Sequence, residues 1–114
     1  MAPDESRVID IAKTGNRILD YVAGLDRSVV ETNPMIRAAV LYEFLIIGEA
    51  VKRLSPEFRA GRPDLPWSQI AGMRDVLIHG YDRVNFERVW LTIERALPDL
   101  LAALTSSVPK ESDE

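Results

Sequence analysis

The sequence predicts an all-α protein, an antiparallel bundle of four helices. In four separate segments, apolar residues recur every three or four positions, which is the spacing of one face of a helix. No segment alternates apolar and polar residues with the period of two that indicates a strand. The connections between the four segments are short, and short connections place consecutive helices side by side in opposite directions.

The first two predicted helices span residues 6–23 and 34–54. Gly24 is expected to end the first helix, because glycine readily adopts the left-handed conformation found after helix ends. Asn33 is a good N-cap for the second helix, and Pro34 suits its first position. The connection between the two helices has room for about one helical turn.

The third predicted helix begins near Pro66 or Trp67, runs to residue 79 and ends at Gly80. The fourth spans residues 85–104, with Asn85 as its N-cap. Pro98 falls inside this last helix and is expected to kink or divide it, because proline lacks the amide hydrogen that a helix needs. Residues 58–65 are expected to form a turn-rich connection.

Length and composition predict one domain over residues 1–107, followed by an acidic, disordered tail over 108–114. The chain has no cysteine, so disulfides and thiolate chemistry are excluded. Its first residues lack a signal-peptide pattern, and no apolar run is long enough to span a membrane. We therefore expect a cytoplasmic protein without a membrane partner.

The charge distribution excludes a protein that coats nucleic acid nonspecifically, because the net charge is −4. The segment from Lys52 to Arg95 nevertheless holds eight basic and six acidic residues, so it is locally positive. A cationic site on an acidic body suits an enzyme that handles short stretches of a polyanion. Solvated helix faces are the simpler interpretation for most of these residues taken singly.

The segment Arg74 to Tyr81 concentrates the reactive side chains. Asp75 and His79 are four residues apart, so they share a helix face, where the carboxylate could orient the imidazole. Arg74 has the planar fork that binds phosphate through two hydrogen bonds, and Gly80 allows a sharp turn after the helix. A structural histidine near a helix end is the simpler alternative, and a lone histidine predicts no metal site.

The spacing Arg74-x4-His79-x-Tyr81 resembles the signature of the HEPN superfamily, and in particular its branch of HepT-like ribonuclease toxins. The likeness extends to residues 46–55, which are similar to that branch's second helix, and to residues 66–73, which are similar to the lead into its motif helix. Val89-Trp90 and Leu97-Pro98 resemble its last helix. The resemblance thus covers roughly residues 33–104.

The resemblance implies a homodimer of helical bundles that cuts RNA without a metal ion or cofactor, at a composite cleft where the two motif helices meet. It implies Arg74 and His79 as catalytic residues. It also implies a partner, a minimal nucleotidyltransferase that acts as antitoxin. In some such pairs the antitoxin attaches AMP to the motif tyrosine, here Tyr81, which otherwise would contact RNA.

The remaining candidates support the site less directly. Glu49 lies in an apolar stretch and could pair with Arg74 or simply be solvated. Lys52, Arg53 and Arg83 could steer RNA, and a solvated helix face explains them equally well.

Two other functions remain open at the level of sequence. The chain could be a non-catalytic helical module that binds a nucleotide or a protein, since Arg74 and His79 can bind phosphate without cleaving it. It could also be the antitoxin of the pair rather than the toxin. A membrane-acting helical protein fits poorly, because the chain is acidic and has no cationic amphipathic helix.

Overall fold

The computed structural model describes residues 3–80 and 84–105, and within these ranges the regular structure is entirely helical, without strands. This confirms the predicted all-α class. Along the described ranges, the elements follow in this order: α1 (Pro3–Val22), α2 (Arg27–Thr32), α3 (Pro34–Lys52), α4 (Pro56–Ala60), α5 (Trp67–Gly80), α6 (Phe86–Leu91), a π-helical turn (Thr92–Ala96) and α7 (Leu97–Thr105).

Four of these elements correspond to the predicted helices: α1, α3, α5 and the continuous run from α6 to α7. The short helix α2 fills the connection that was expected to hold one turn. The other short helix, α4, was not predicted. The Ser55 hydroxyl accepts a hydrogen bond from the Phe58 amide at 3.1 Å, so Ser55-Pro56 starts a new helix as well as closing the previous one.

The predicted caps are confirmed at both ends of the connection between α1 and α3. Gly24 has a positive φ of 75°, the conformation that favours glycine after a helix. The Asn33 side chain accepts hydrogen bonds from the amides of Met35 and Ile36, both at 3.1 Å. These contacts satisfy amides that have no partner inside the helix, and so they fix where α3 begins.

A long-range contact ties the start of α1 to α4. Asp4 accepts hydrogen bonds from the Ser55 amide at 2.9 Å and from the Ser55 hydroxyl at 2.7 Å. These bonds hold the pKa of the Asp4 carboxyl below its ordinary value. The contact anchors the N-terminal end of α1 against the segment that follows α3.

Pro98 neither ends the last helix nor divides it into separate pieces. The backbone stays helical from residue 86 to residue 105, and a π turn ends at Ala96, two residues before the proline. There the Leu97 amide bonds to the carbonyl of Thr92, five residues back. The wider turn accommodates a residue that has no amide hydrogen and whose ring would collide with the preceding turn.

Helix α3 is central and packs against both α1 and α5, while α7 packs on α1. The core is built from large side chains that are fully buried, among them Phe44 and Ile47 on α3, Ile11 and Ile18 on α1, and Leu100 on α7. None of the helices in the described ranges has the length and apolar character needed to cross a membrane. The predicted tail, residues 108–114, lies outside the described residues.

Candidate active site

The candidate site is built where α3 crosses α5, and a glycine sets how closely the two helices approach. A Cβ atom added to Gly48 would lie 2.5 Å from the Cβ of Arg74 and 3.4 Å from the carbonyl oxygen of Ile70. Real Cβ atoms do not come that close to one another, so only glycine fits here. The close approach puts Arg74 beside the α3 residue that follows Gly48.

That residue is Glu49, and its carboxylate accepts a hydrogen bond from Nε of Arg74 at 2.6 Å. The sequence left open whether Glu49 pairs with Arg74 or faces solvent, and the pairing is confirmed. The hydrogen bond raises the pKa of the Arg74 guanidinium above its ordinary value. The side chain of Arg74 is about one-quarter exposed, so it is held in place but still reaches the surface.

Asp75 makes different contacts from those predicted. Its carboxylate accepts two hydrogen bonds from Nζ of Lys52, at 2.9 and 3.1 Å, and one from Nη1 of Arg74 at 3.1 Å. These contacts hold the pKa of Asp75 below its ordinary value, and the hydrogen bond with Lys52 is the largest cause. The expectation that the Asp75 carboxylate orients the His79 imidazole is therefore wrong, because the two cations engage that carboxylate instead.

His79 contacts the backbone of Asp75. Its Nδ1 lies 3.2 Å from the Asp75 carbonyl oxygen, one helical turn before it. A carbonyl oxygen only accepts hydrogen bonds, so a hydrogen bond here requires the proton on Nδ1, and the neutral tautomer that makes it has its lone pair on Nε2. The imidazole is exposed. The backbone thus supplies the orienting contact that the sequence had suggested for the carboxylate.

The charged side chains form one continuous network across the two helices. Arg53 adds the last link, with its Nη2 3.5 Å from the second oxygen of Glu49. The network runs through Arg53, Glu49, Arg74, Asp75 and Lys52. Three cations against two carboxylates leave one positive charge, next to an exposed imidazole. Such an arrangement can bind a phosphodiester and exchange a proton with a hydroxyl group beside it.

The structure thus brings together most of the predicted site residues, while two of them, Tyr81 and Arg83, lie outside the described ranges. Sequence reasoning missed Gly48 as a determinant of the site. The available signal was an isolated glycine inside an apolar helical pattern, which often marks a close helix contact. Within residues 3–80 and 84–105, no group of three or more His, Cys, Asp or Glu side chains is placed to hold a metal ion.

A known protein family and several known proteins are similar to this chain. A family model described as ribonuclease HepT-like matches residues 11–106. A protein of Caldanaerobacter subterraneus subsp. tengcongensis assigned as an RNase is 38% identical over 94 residues, which are 82% of this chain and 84% of that protein. One from Methanocaldococcus jannaschii, also assigned as an RNase, is 31% identical over 80% of this chain and 84% of its own length.

A protein of Thermococcus cleftensis assigned as ribonuclease HepT matches a shorter part of the chain. It is 40% identical over 62 residues, which cover 54% of this chain and 56% of that protein. No solved structure matches the chain significantly.

Proposed function

The chain belongs to the HepT-like ribonuclease family and is a ribonuclease, and from that premise we propose that it is the toxin of a toxin–antitoxin pair. In this proposal the protein is an endoribonuclease that needs no metal ion, and its catalytic residues are Arg74 and His79. The observation that carries it is the network at the crossing of α3 and α5. There Glu49 holds Arg74 by a 2.6 Å bond, beside an exposed imidazole.

Arg74 has the geometry of a group that stabilises charge in a transition state. Glu49 holds its Nε and Asp75 holds its Nη1, and no partner within the described ranges engages its Nη2. A guanidinium fixed on two sides needs no reorganisation when negative charge develops on a phosphate in front of it. Arg74 would therefore bind the scissile phosphate and stabilise the phosphorane.

The chemistry would use the 2′-hydroxyl of the RNA as nucleophile. The lone pair of one His79 imidazole takes the hydroxyl proton, and the 2′-oxygen forms a bond to phosphorus. The bond from phosphorus to the 5′-oxygen breaks, and the leaving oxygen takes a proton from a second, protonated imidazole. The products are an RNA end with a 2′,3′-cyclic phosphate and an RNA end with a 5′-hydroxyl.

A second imidazole requires a second copy of the chain, because His79 is the sole histidine in the sequence. We propose a homodimer of four-helix bundles whose two-fold axis brings the two sites together. Exposed apolar side chains on the helices that carry the site support this. Tyr42 on α3 is 59% exposed, and Ile78 on α5 is 53% exposed. Apolar side chains beside a site are typical of an interface.

The dimer is tested by Tyr42→Asp, which puts a charge on the proposed interface. We expect light scattering to show that the molar mass falls from that of a dimer to that of a monomer. RNA cleavage should be lost at the same time. Val29→Asp is the matched control, because Val29 is a 39% exposed apolar residue on α2. It should keep both the mass and the activity. A Tyr42→Asp monomer that cleaves RNA at the original rate contradicts the composite site.

The catalytic assignment is tested by His79→Ala and Arg74→Ala, with Arg27→Ala on α2 as a control for loss of a surface cation. Both site variants should lose cleavage of a mixed RNA pool, while their circular dichroism stays that of the parent. Cleavage should persist in a metal chelator and yield 2′,3′-cyclic phosphate ends. Retained cleavage by His79→Ala, or 3′-hydroxyl products, would refute the mechanism.

The partner in the proposal is a minimal nucleotidyltransferase that silences the toxin by attaching AMP to Tyr81. Tyr81 follows Gly80, the last residue of α5, and is two residues from His79 in the sequence. Added AMP would bring bulk and negative charge to a site that binds phosphate. Intact mass after co-expression with the transferase should rise by AMP units, and Tyr81→Phe should abolish the rise. If the transferase inhibits the protein while Tyr81 stays unmodified, this mode of control is contradicted.

A further inference from the structure

A groove of about 300 Å³ lies between α1 and α3, adjacent to the candidate active site. Six charged side chains line it: Arg7, Asp10, Lys13 and Arg17 from α1, and Glu49 and Arg53 from α3. Glu49 is shared between the two places, because the same carboxylate accepts the bond from Arg74. The groove therefore begins where the candidate site ends.

The groove is positive on a protein that is negative as a whole. Four cations and two carboxylates line it, whereas the whole chain carries a net charge of −4. Sequence reasoning placed the basic surplus after residue 52 and did not use the cations of α1. Only the packing of α1 on α3 brings Arg7 and Lys13 to the same opening as Arg53.

Two of the cations form no ion pair at contact distance in the described part of the chain, although, after the hydrogen bonds from Ser55, the charge of Arg7 helps to lower the pKa of the Asp4 carboxyl. Arg17 pairs with the buried Glu43 at 3.1 Å, and Arg53 pairs with Glu49 at 3.5 Å. Arg7 and Lys13, in contrast, form no ion pair with the carboxylates of the described ranges. In addition, Nε of Arg7 is buried and makes no hydrogen bond. Unpaired cations beside a polar opening are suited to an anionic ligand.

We propose that this groove binds the phosphate backbone of the RNA substrate to one side of the scissile bond, with Arg7 and Lys13 as the phosphate contacts. The inference rests on the proposed ribonuclease function of the neighbouring site. The two residues are six positions apart on α1, a rise of about 9 Å, so they can reach different phosphates of one strand. Contacts to phosphate carry no base preference, so the groove would strengthen binding of any sequence.

The test uses the double variant Arg7→Gln/Lys13→Gln and a matched control, Arg27→Gln/Arg62→Gln, which removes two charges on other faces. The probe is a fluorescent, single-stranded RNA of mixed sequence with 2′-O-methyl groups, which block cleavage through the 2′-oxygen. Its dissociation constant is measured by anisotropy over a series of salt concentrations. Each lost phosphate contact should make the logarithmic salt dependence shallower by about 0.7, so the double variant should lose about 1.4. The control should keep the parent slope.

Cleavage assays separate this inference from the proposed function. If the groove binds substrate, the double variant raises KM for a long RNA and leaves kcat and the cleavage of a very short RNA near the parent values. An unchanged salt slope and KM overturn the groove proposal even if the parent cleaves RNA. A shallower slope in a protein that does not cleave RNA supports the groove and refutes the ribonuclease mechanism.

Two further outcomes complete the test. Loss of the dimer in the double variant, seen as a lower molar mass, would make the groove an interface between copies and overturn the proposal. If the double variant does not fold, Lys13→Gln alone is measured, since Lys13 is exposed and its loss removes one expected contact. Its slope should then be shallower by about 0.7, and a parent-like slope overturns the proposal.

Discussion

Gly48→Ala should separate activity from stability, because a single methyl group would act on the contact that positions Arg74. The new Cβ would lie 2.5 Å from the Cβ of Arg74, whereas ordinary contacts begin at 3.4 Å. Neither atom belongs to a flexible side-chain end, so the helices α3 and α5 must move apart by about 1 Å. A shift of that size lengthens the 2.6 Å bond from Arg74 to Glu49 to about 3.6 Å, beyond the usual hydrogen-bond range.

The expected cost in stability is small. Overfilling a packed contact costs about 1–3 kcal/mol, and alanine regains about 1 kcal/mol because it is a better helix former than glycine. The net loss is therefore about 0–2 kcal/mol. The rate should suffer more, because a misplacement of about 1 Å can cost roughly 100-fold in a positioned active site. We expect the melting temperature to fall by at most about 8 °C, at roughly 4 °C per kcal/mol, and the rate of RNA cleavage to fall by one to two orders of magnitude.

Gly72→Ala is the matched control on α5. A Cβ at Gly72 would meet only the side-chain end of Arg88, at 3.7 Å, which is an ordinary contact. This variant should gain about 0.5–1 kcal/mol from helix propensity and keep its activity. The measurements are thermal unfolding by circular dichroism and initial rates on one RNA. A Gly48→Ala protein with parent activity would show that the close approach of α3 and α5 does not position Arg74.

Three further outcomes are expected. Glu49→Gln should lower the cleavage rate by about tenfold with no change in fold, because Asp75 still holds Arg74 from its other side; a parent rate would remove Glu49 from the site. Leu100→Ala should lower the free energy of unfolding by about 2–5 kcal/mol, since Leu100 is fully buried, while the rate well below the melting temperature stays unchanged. Asp4→Asn should be less stable than the parent at neutral pH, and this difference in stability should disappear in acid. The folded pKa of Asp4 is lowered, so its contribution is present above the unfolded value near 3.9 and is lost as the pH falls through the folded pKa. A difference in melting temperature from the parent that stays constant from pH 7 to pH 2 would contradict this.

Much of the fold was predictable because helices are determined locally. Apolar spacing identified the four long helices, and cap residues such as Gly24 and Asn33 set their ends to within a few residues. The errors also have local reasons. The short α4 was missed because it overlaps the segment that was expected to be a turn-rich connection, although proline at position 56 suits the first turn of a helix. Pro98 does not divide the last helix, since a π turn before it keeps the backbone helical, and the alternative of a kink stays a prediction.

The sequence predicted which residues form the candidate site better than it predicted which of them contact one another. Spacing put Asp75 and His79 on one face, which holds, but it could not show that Lys52 lies closer to the carboxylate than the imidazole does. The two residues are 23 positions apart, and their contact depends on how α3 crosses α5. A sequence pattern carries no information on competition between partners that come from different helices.

The sequence by itself determined the helical class, the helix ends and the short segment that carries the arginine and the histidine, since each depends on residues within a few positions of one another. The tertiary structure decided which partner from α3 holds each charge on α5: Glu49 for Arg74 and Lys52 for Asp75. It also decided that the cations of α1 lie beside the site. These contacts join distant parts of the chain, and those between α3 and α5 form where glycine at position 48 lets the two helices approach closely.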